Sequence, residues 1–141
     1  MAINFDKKIK NTETIILGGK ERELIFNDEF RNAITQTGMK TQQYLDKADH
    51  VSEKEIDKMS LNEIDQQVSK YLKDAKTIMF AFFDRYMGKG TGQELYTYFN
   101  HSTKALGDII GELYSLSEKV DRDRSKAAQE KSQTYMSNKR K

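Results

Sequence analysis

Residues 60–87 hold the longest unbroken helical period in the chain, and the remaining elements must be arranged to cover it. On a helical wheel centred on Phe82, the side chains of Leu61, Ile64, Val68, Tyr71, Leu72, Ala75, Ile78, Met79, Phe82 and Tyr86 fall within an arc of roughly 120°, the width a core-facing amphipathic helix needs. Ser60 with Glu63 three residues on forms a capping box, Met59 and Ile64 are placed as a hydrophobic staple, and Gly88 ends the period. Phe80, Phe83 and Met87 lie outside that arc at i, i+3 and i+7 and make a second apolar strip. Either residues 95–99 of the same chain cover it, or it is a partner-binding row of the kind used in helix-groove contacts.

The chain has 141 residues, no proline and no internal repeat, so a single domain with one modest core is expected. Apolar residues make up 36% and charged residues 33%, a balance that suits slender helices with large solvated faces. Without cysteine there is neither a disulfide nor a thiolate metal site. No apolar signal segment opens the chain and no window of 18 apolar residues occurs, which predicts a soluble cytoplasmic protein with no membrane contact. Net charge is +2, yet residues 121–141 hold seven basic and three acidic residues, a local +4, leaving −2 for the body. The domain is therefore expected over residues 1–120, with 121–141 as a solvated basic helix end.

Residues 12–26 alternate as strands about Gly18-Gly19 and read as a β-hairpin. A two-residue turn sets Ile15 opposite Arg22; a four-residue turn over residues 18–21 sets Ile15 opposite Leu24. The longer turn is preferred as the one that gathers Ile15, Leu17, Leu24 and Phe26 on one face, which must dock on helices. Ile3 and Phe5 could add a short edge strand. Asn27 is a helix cap, with Phe30, Ala33 and Ile34 inward and Gly38 placed as a C-terminal stop before a second helical segment over residues 39–48. Two more capping boxes, Ser52 with Glu55 and Thr91 with Glu94, predict two short helices. From Thr103, the spacing of Ala105, Leu106, Ile109, Ile110, Leu113, Leu116 and Val120 gives a second long helix, expected to pack antiparallel on the first. The fold class is thus α+β: an N-terminal β-hairpin packed on a mainly helical domain with two long antiparallel helices.

No arrangement carries catalysis. The cluster Gly88-x-Gly90-x-Gly92 follows a helix and lacks the spacing of either nucleotide-binding fingerprint, so it reads as a structural turn. His50 and His101 sit in predicted connections without companion ligands, so no metal or cofactor is expected. The basic tail, with Arg122, Arg124, Lys126, Lys131, Lys139, Arg140 and Lys141, could touch phosphates, but acidic residues interrupt it and only Tyr135 is available to stack on bases. A small nucleic-acid-associated protein acting through this tail is the alternative to a protein-binding module.

Two stretches resemble a known family. Ile15-Ile16-Leu17-Gly18-Gly19-Lys20-Glu21-Arg22-Glu23-Leu24-Ile25-Phe26 is similar to the N-terminal hairpin of tail assembly chaperones of long-tailed, siphovirus-like bacteriophages. Phe83 to Tyr96, through Met87-Gly88-Lys89-Gly90-Thr91-Gly92, resembles the glycine-threonine junction of the same family and the helix that follows it. The resemblance implies a non-enzymatic factor that binds and solubilises the long tape measure protein during tail morphogenesis and hands it to the major tail protein, with self-association as a further contact. It also implies residence in the host cytoplasm, absence from the mature virion and, in many members, a longer frameshifted product.

Overall fold

The protein is seen here as a computed structural model that describes the backbone of residues 2–7, 11–54 and 60–139, with side chains over residues 2–6, 11–51 and 60–123. A hairpin, β1 (Thr12–Leu17) and β2 (Lys20–Ile25), precedes four helices: α1 (Asp28–Lys54), α2 (Leu61–Met87), α3 (Thr91–Tyr98) and α4 (Thr103–Lys139). This is the expected α+β class, a hairpin on a mainly helical body.

The hairpin closes through two residues, not four. Gly18 and Gly19 both have positive φ (65° and 77°), as the tight turn favoured by right-twisted strands requires, and Ile15 faces Arg22 while Leu17 faces Lys20. The longer turn was preferred for the face it produces, but a register shift of two residues leaves every side chain on its original face, because the strand period is two. The expected face forms accordingly, with Leu24 and Phe26 buried and Ile15 and Leu17 half-buried against the same core. Among the described residues the sheet has two strands. Ile3 and Phe5, expected as an edge strand, are 64% and 62% exposed beside a single 3-10 turn over Phe5–Lys7.

Asn27 caps α1 as expected, its Oδ1 accepting the Phe30 N–H at 2.8 Å. The helix then runs through Gly38 to Lys54, so the predicted stop and the separate segment over residues 39–48 are one element. An interior glycine costs a helix roughly 1 kcal/mol, and here it lies where α1 meets α4, with a methyl at Gly38 falling 3.8 Å from Ile110. Ser52 is inside the last turn of α1 instead of opening a new helix; its predicted partners Glu55 and Ile56, like Met59, lie outside the described residues.

At the start of α2, Ser60 Oγ accepts the Glu63 N–H at 3.2 Å, the predicted cap. The inner arc is deepest at Ala75, Met79 and Phe82, while Leu61 at its start is exposed. The partner along this arc is α1. Glu29 pairs with Arg85 and Tyr86, and Lys47 lies 5.9 Å over the Tyr71 ring, so the two helices are antiparallel. Arg31 to Asp121 at 3.2 Å and Asp49 to Lys104 at 4.0 Å make α4 antiparallel to α1 as well. Helices α2 and α4 therefore run in the same sense, contrary to the antiparallel packing expected of that pair. The return stroke is made by α3, which sets the start of α4 beside Val68 and Leu72 instead of beyond Met87. Ser102 caps α4 by accepting the Ala105 N–H at 3.1 Å.

Candidate interaction surface

The strip of Phe80, Phe83 and Met87, expected either to meet a partner or to be covered by the same chain, is covered within the chain, and Phe80 lies in the seam between α2 and α3. Phe83 is 0% exposed, and Phe80 and Met87 are half-buried against the core. The Tyr96 ring stands edge-on to Phe80 at 5.8 Å, and Lys76 lies over both rings. A Cβ on Gly92 would be 2.7 Å from the Phe80 Cα, so α3 rests on α2 at a distance that only glycine allows. One of the first amides of α3 is also satisfied from α2. Gly92 N–H donates to Asp84 Oδ1 at 2.8 Å, whereas the predicted Thr91 cap is not used: Gly90 occupies the cap position with φ 90° and Thr91 is already helical. The residues of the glycine cluster thus place a helix start on a neighbouring helix, and the amide an anion would seek at Gly92 already has a carboxylate.

The hairpin turn rests on the other side of α3. A Cβ on Gly18 would lie 2.8 Å from Leu95 Cδ2, and one on Gly19 would lie 3.5 Å from Tyr98 Cε2. Lys20 Nζ is 2.7 Å from Glu94 Oε1, and this hydrogen bond holds the Glu94 carboxyl below the usual carboxylate range. Arg22, opposite Ile15 on the apolar face, donates Nε to Leu17 O at 3.1 Å and approaches Glu94 Oε1 at 3.5 Å. The two stretches that carry the family resemblance are more than fifty residues apart in sequence and in direct contact in the fold.

Beside the hairpin an apolar groove of about 510 Å³ opens between β1 and α4, walled by Ile15 and Leu17 and floored by Ile109, Leu113 and Leu116, with Phe99 at one end and Asp108 and Glu112 on its lining. Sequence reasoning assigned these aliphatic residues to the core, and periodicity alone could not show that Ile15, Leu17, Ile109 and Leu116 would be only half covered. One signal was available: the run Ile15-Ile16-Leu17 breaks the alternation and sends Ile16 outward, where it is 78% exposed.

The other expected positions are scattered. His50 donates its Nδ1–H to the Asp46 carbonyl oxygen at 2.7 Å on α1, and the His101 ring, in the turn before α4, stands edge-on to Tyr96. Among the described residues no cluster of three metal-ligating side chains occurs, and no helix is long and apolar enough to cross a membrane. Arg122 and Lys139 lie on α4, while Arg140 and Lys141 lie outside the described residues. The chain matches no protein-family model, no curated protein and no solved structure.

Proposed function

We propose that this chain is a non-enzymatic, phage-type tail assembly chaperone that binds and solubilises a long helical tape measure protein in the host cytoplasm. The observation that carries this reading is the contact between Gly18, Gly19, Lys20 and Arg22 of the hairpin turn and Glu94, Leu95 and Tyr98 of α3. Two short resemblances of low individual specificity gain weight when they are the two halves of one packed junction, because residues that touch are selected together. The slender helical body with its large solvated faces suits a protein that holds other chains.

Co-expression with a fragment of the tape measure gene product is the test. The reading requires the fragment to stay soluble and to co-purify with this chain at a defined ratio, and the gene to lie between those of a major tail protein and a very long coiled-coil protein. A fragment that aggregates regardless, together with salt-dependent retention of the chain on DNA, would favour the tail-mediated nucleic-acid reading instead.

A further inference from the structure

The two edges of the hairpin are not alike. Phe26 N–H donates to Asn11 O at 2.6 Å, and Glu13 faces Leu24 in the same ladder. Bonded and non-bonded pairs alternate along antiparallel strands, so the odd residues of β1 bond to β2 and the N–H and C=O groups of Thr12, Thr14 and Ile16 point the other way. No further strand covers that edge among the described residues. The outward groups of β2 belong to Glu21, Glu23 and Ile25.

Consider each edge pairing with its own copy about a two-fold axis, with core-facing residues kept on one side. Along β2, centring the pairing on Glu21, Arg22 or Glu23 opposes like charges, and centring it on Leu24 avoids them only by engaging the last residues of the strand. Along β1 the only charge is Glu13. Centred on Ile15, the β1 pairing sets Ile15 against Ile15, Thr14 against Ile16 and Glu13 against Leu17, with no like charges opposed. The ground beneath is also prepared on this side alone. β2 packs toward α2, so a strand added at β1 lies over α4, and the groove floor from Ala105 to Leu116 is about 16 Å long, the reach of five extended residues.

We propose that a second copy of this chain occupies the groove, through antiparallel pairing of β1 with β1 into a four-stranded sheet ordered β2–β1–β1–β2. Ile15 and Leu17 of each copy close the apolar floor of the other, and Ile16 gains a cross-strand neighbour. The pairing also relieves a structural weakness, since a sheet of two strands is marginal by itself. This assembly is independent of whether a tape measure protein is the cargo.

The full chain provides the test, by sedimentation over a range of concentrations with circular dichroism beside it. Thr14→Pro removes an outward N–H that the hairpin does not use, and Ile16→Lys adds a charge at an exposed position of the same edge. Each is expected to raise the dimer dissociation constant about tenfold or more while the far-ultraviolet spectrum is retained, and Ile25→Lys on the other edge is expected to change neither. Because the chain has no cysteine, Ile15→Cys should form a symmetric disulfide on mild oxidation, since it alone lies on the proposed axis. A wild-type chain that is monomeric at every concentration overturns the proposal, as does a dimer that survives both edge variants; should Thr14→Pro unfold, Ile16→Lys decides.

Discussion

The two apolar faces of α2 are buried by different means. On the side toward α1 the covering is ring against ring: Phe30 stands 5.0 Å from Phe26, 5.7 Å from Phe82 and 5.3 Å from Tyr86. On the side toward α3 it is largely ring against backbone, with Gly92 set on Phe80 and its amide held by Asp84. A face covered by side chains can adjust by rotamer changes, whereas one covered by main chain admits no added atom. The α3 side should therefore be the less forgiving, although its sequence looks the more permissive.

The strongest way to break that contrast is Phe83→Ser. Loss of a fully buried aromatic ring, with a hydroxyl left in its place, should cost roughly 3–5 kcal/mol and leave little cooperative unfolding in a denaturant titration. A change under about 1 kcal/mol would mean that Phe83 is not buried in solution. Gly92→Ala comes next, at about 1–3 kcal/mol, because its methyl meets backbone that cannot swing aside. Gly111→Ala on α4, with nothing within 4 Å of the new atom, should instead stabilise by about 0.5–1 kcal/mol, so the pair measured together separates packing from helix propensity. Asp84→Ala, which leaves the Gly92 amide without its carboxylate, should cost about 1 kcal/mol in the same titration.

The smallest effect concerns Glu94. Its folded carboxyl is held below the ordinary range by Lys20, so its contribution is present above that range and is lost as pH falls through the lowered value. Glu94→Gln should lower the melting temperature slightly at neutral pH and make no difference once pH is below the lowered carboxyl value, so the acid side of the profile becomes slightly flatter.

Local signals in the sequence located the strands, the caps at Asn27 and Ser60 and the inner arc of α2, because each depends on residues within a few positions of one another. What was not legible depends on distant groups. The cap of α3 comes from Asp84, on the preceding helix, and pre-empts the nearer Thr91. Gly38 is indistinguishable from a stop until α4 is known to pass beside it. The strip of Phe80, Phe83 and Met87 reads as surplus surface unless Gly92 is recognised as the place where another backbone arrives. The hairpin register escaped for another reason: both turn lengths satisfy the same face, so only the backbone preference of consecutive glycines distinguishes them. The groove beside β1 was hidden because a half-covered aliphatic stripe has the same spacing as a fully covered one.

The contact of the Gly18-Gly19 turn with Leu95 and Tyr98 spans more than seventy residues of chain, which bears on the order in which the molecule can be assembled. The antiparallel α1–α2 pair joins neighbours in sequence and has little loop to close, so it is the natural early structure. The tip of the hairpin, although made first by the ribosome, has no seat until α3 has emerged, and the floor beside β1 arrives later still with residues 105–116. Throughout that interval the uncharged edge of β1 is without its helical backing. A nascent chain that must wait in this way is the stage at which premature strand pairing would be most damaging, and slowing translation across residues 91–116 should increase aggregation of the newborn protein more than the same delay placed after residue 123.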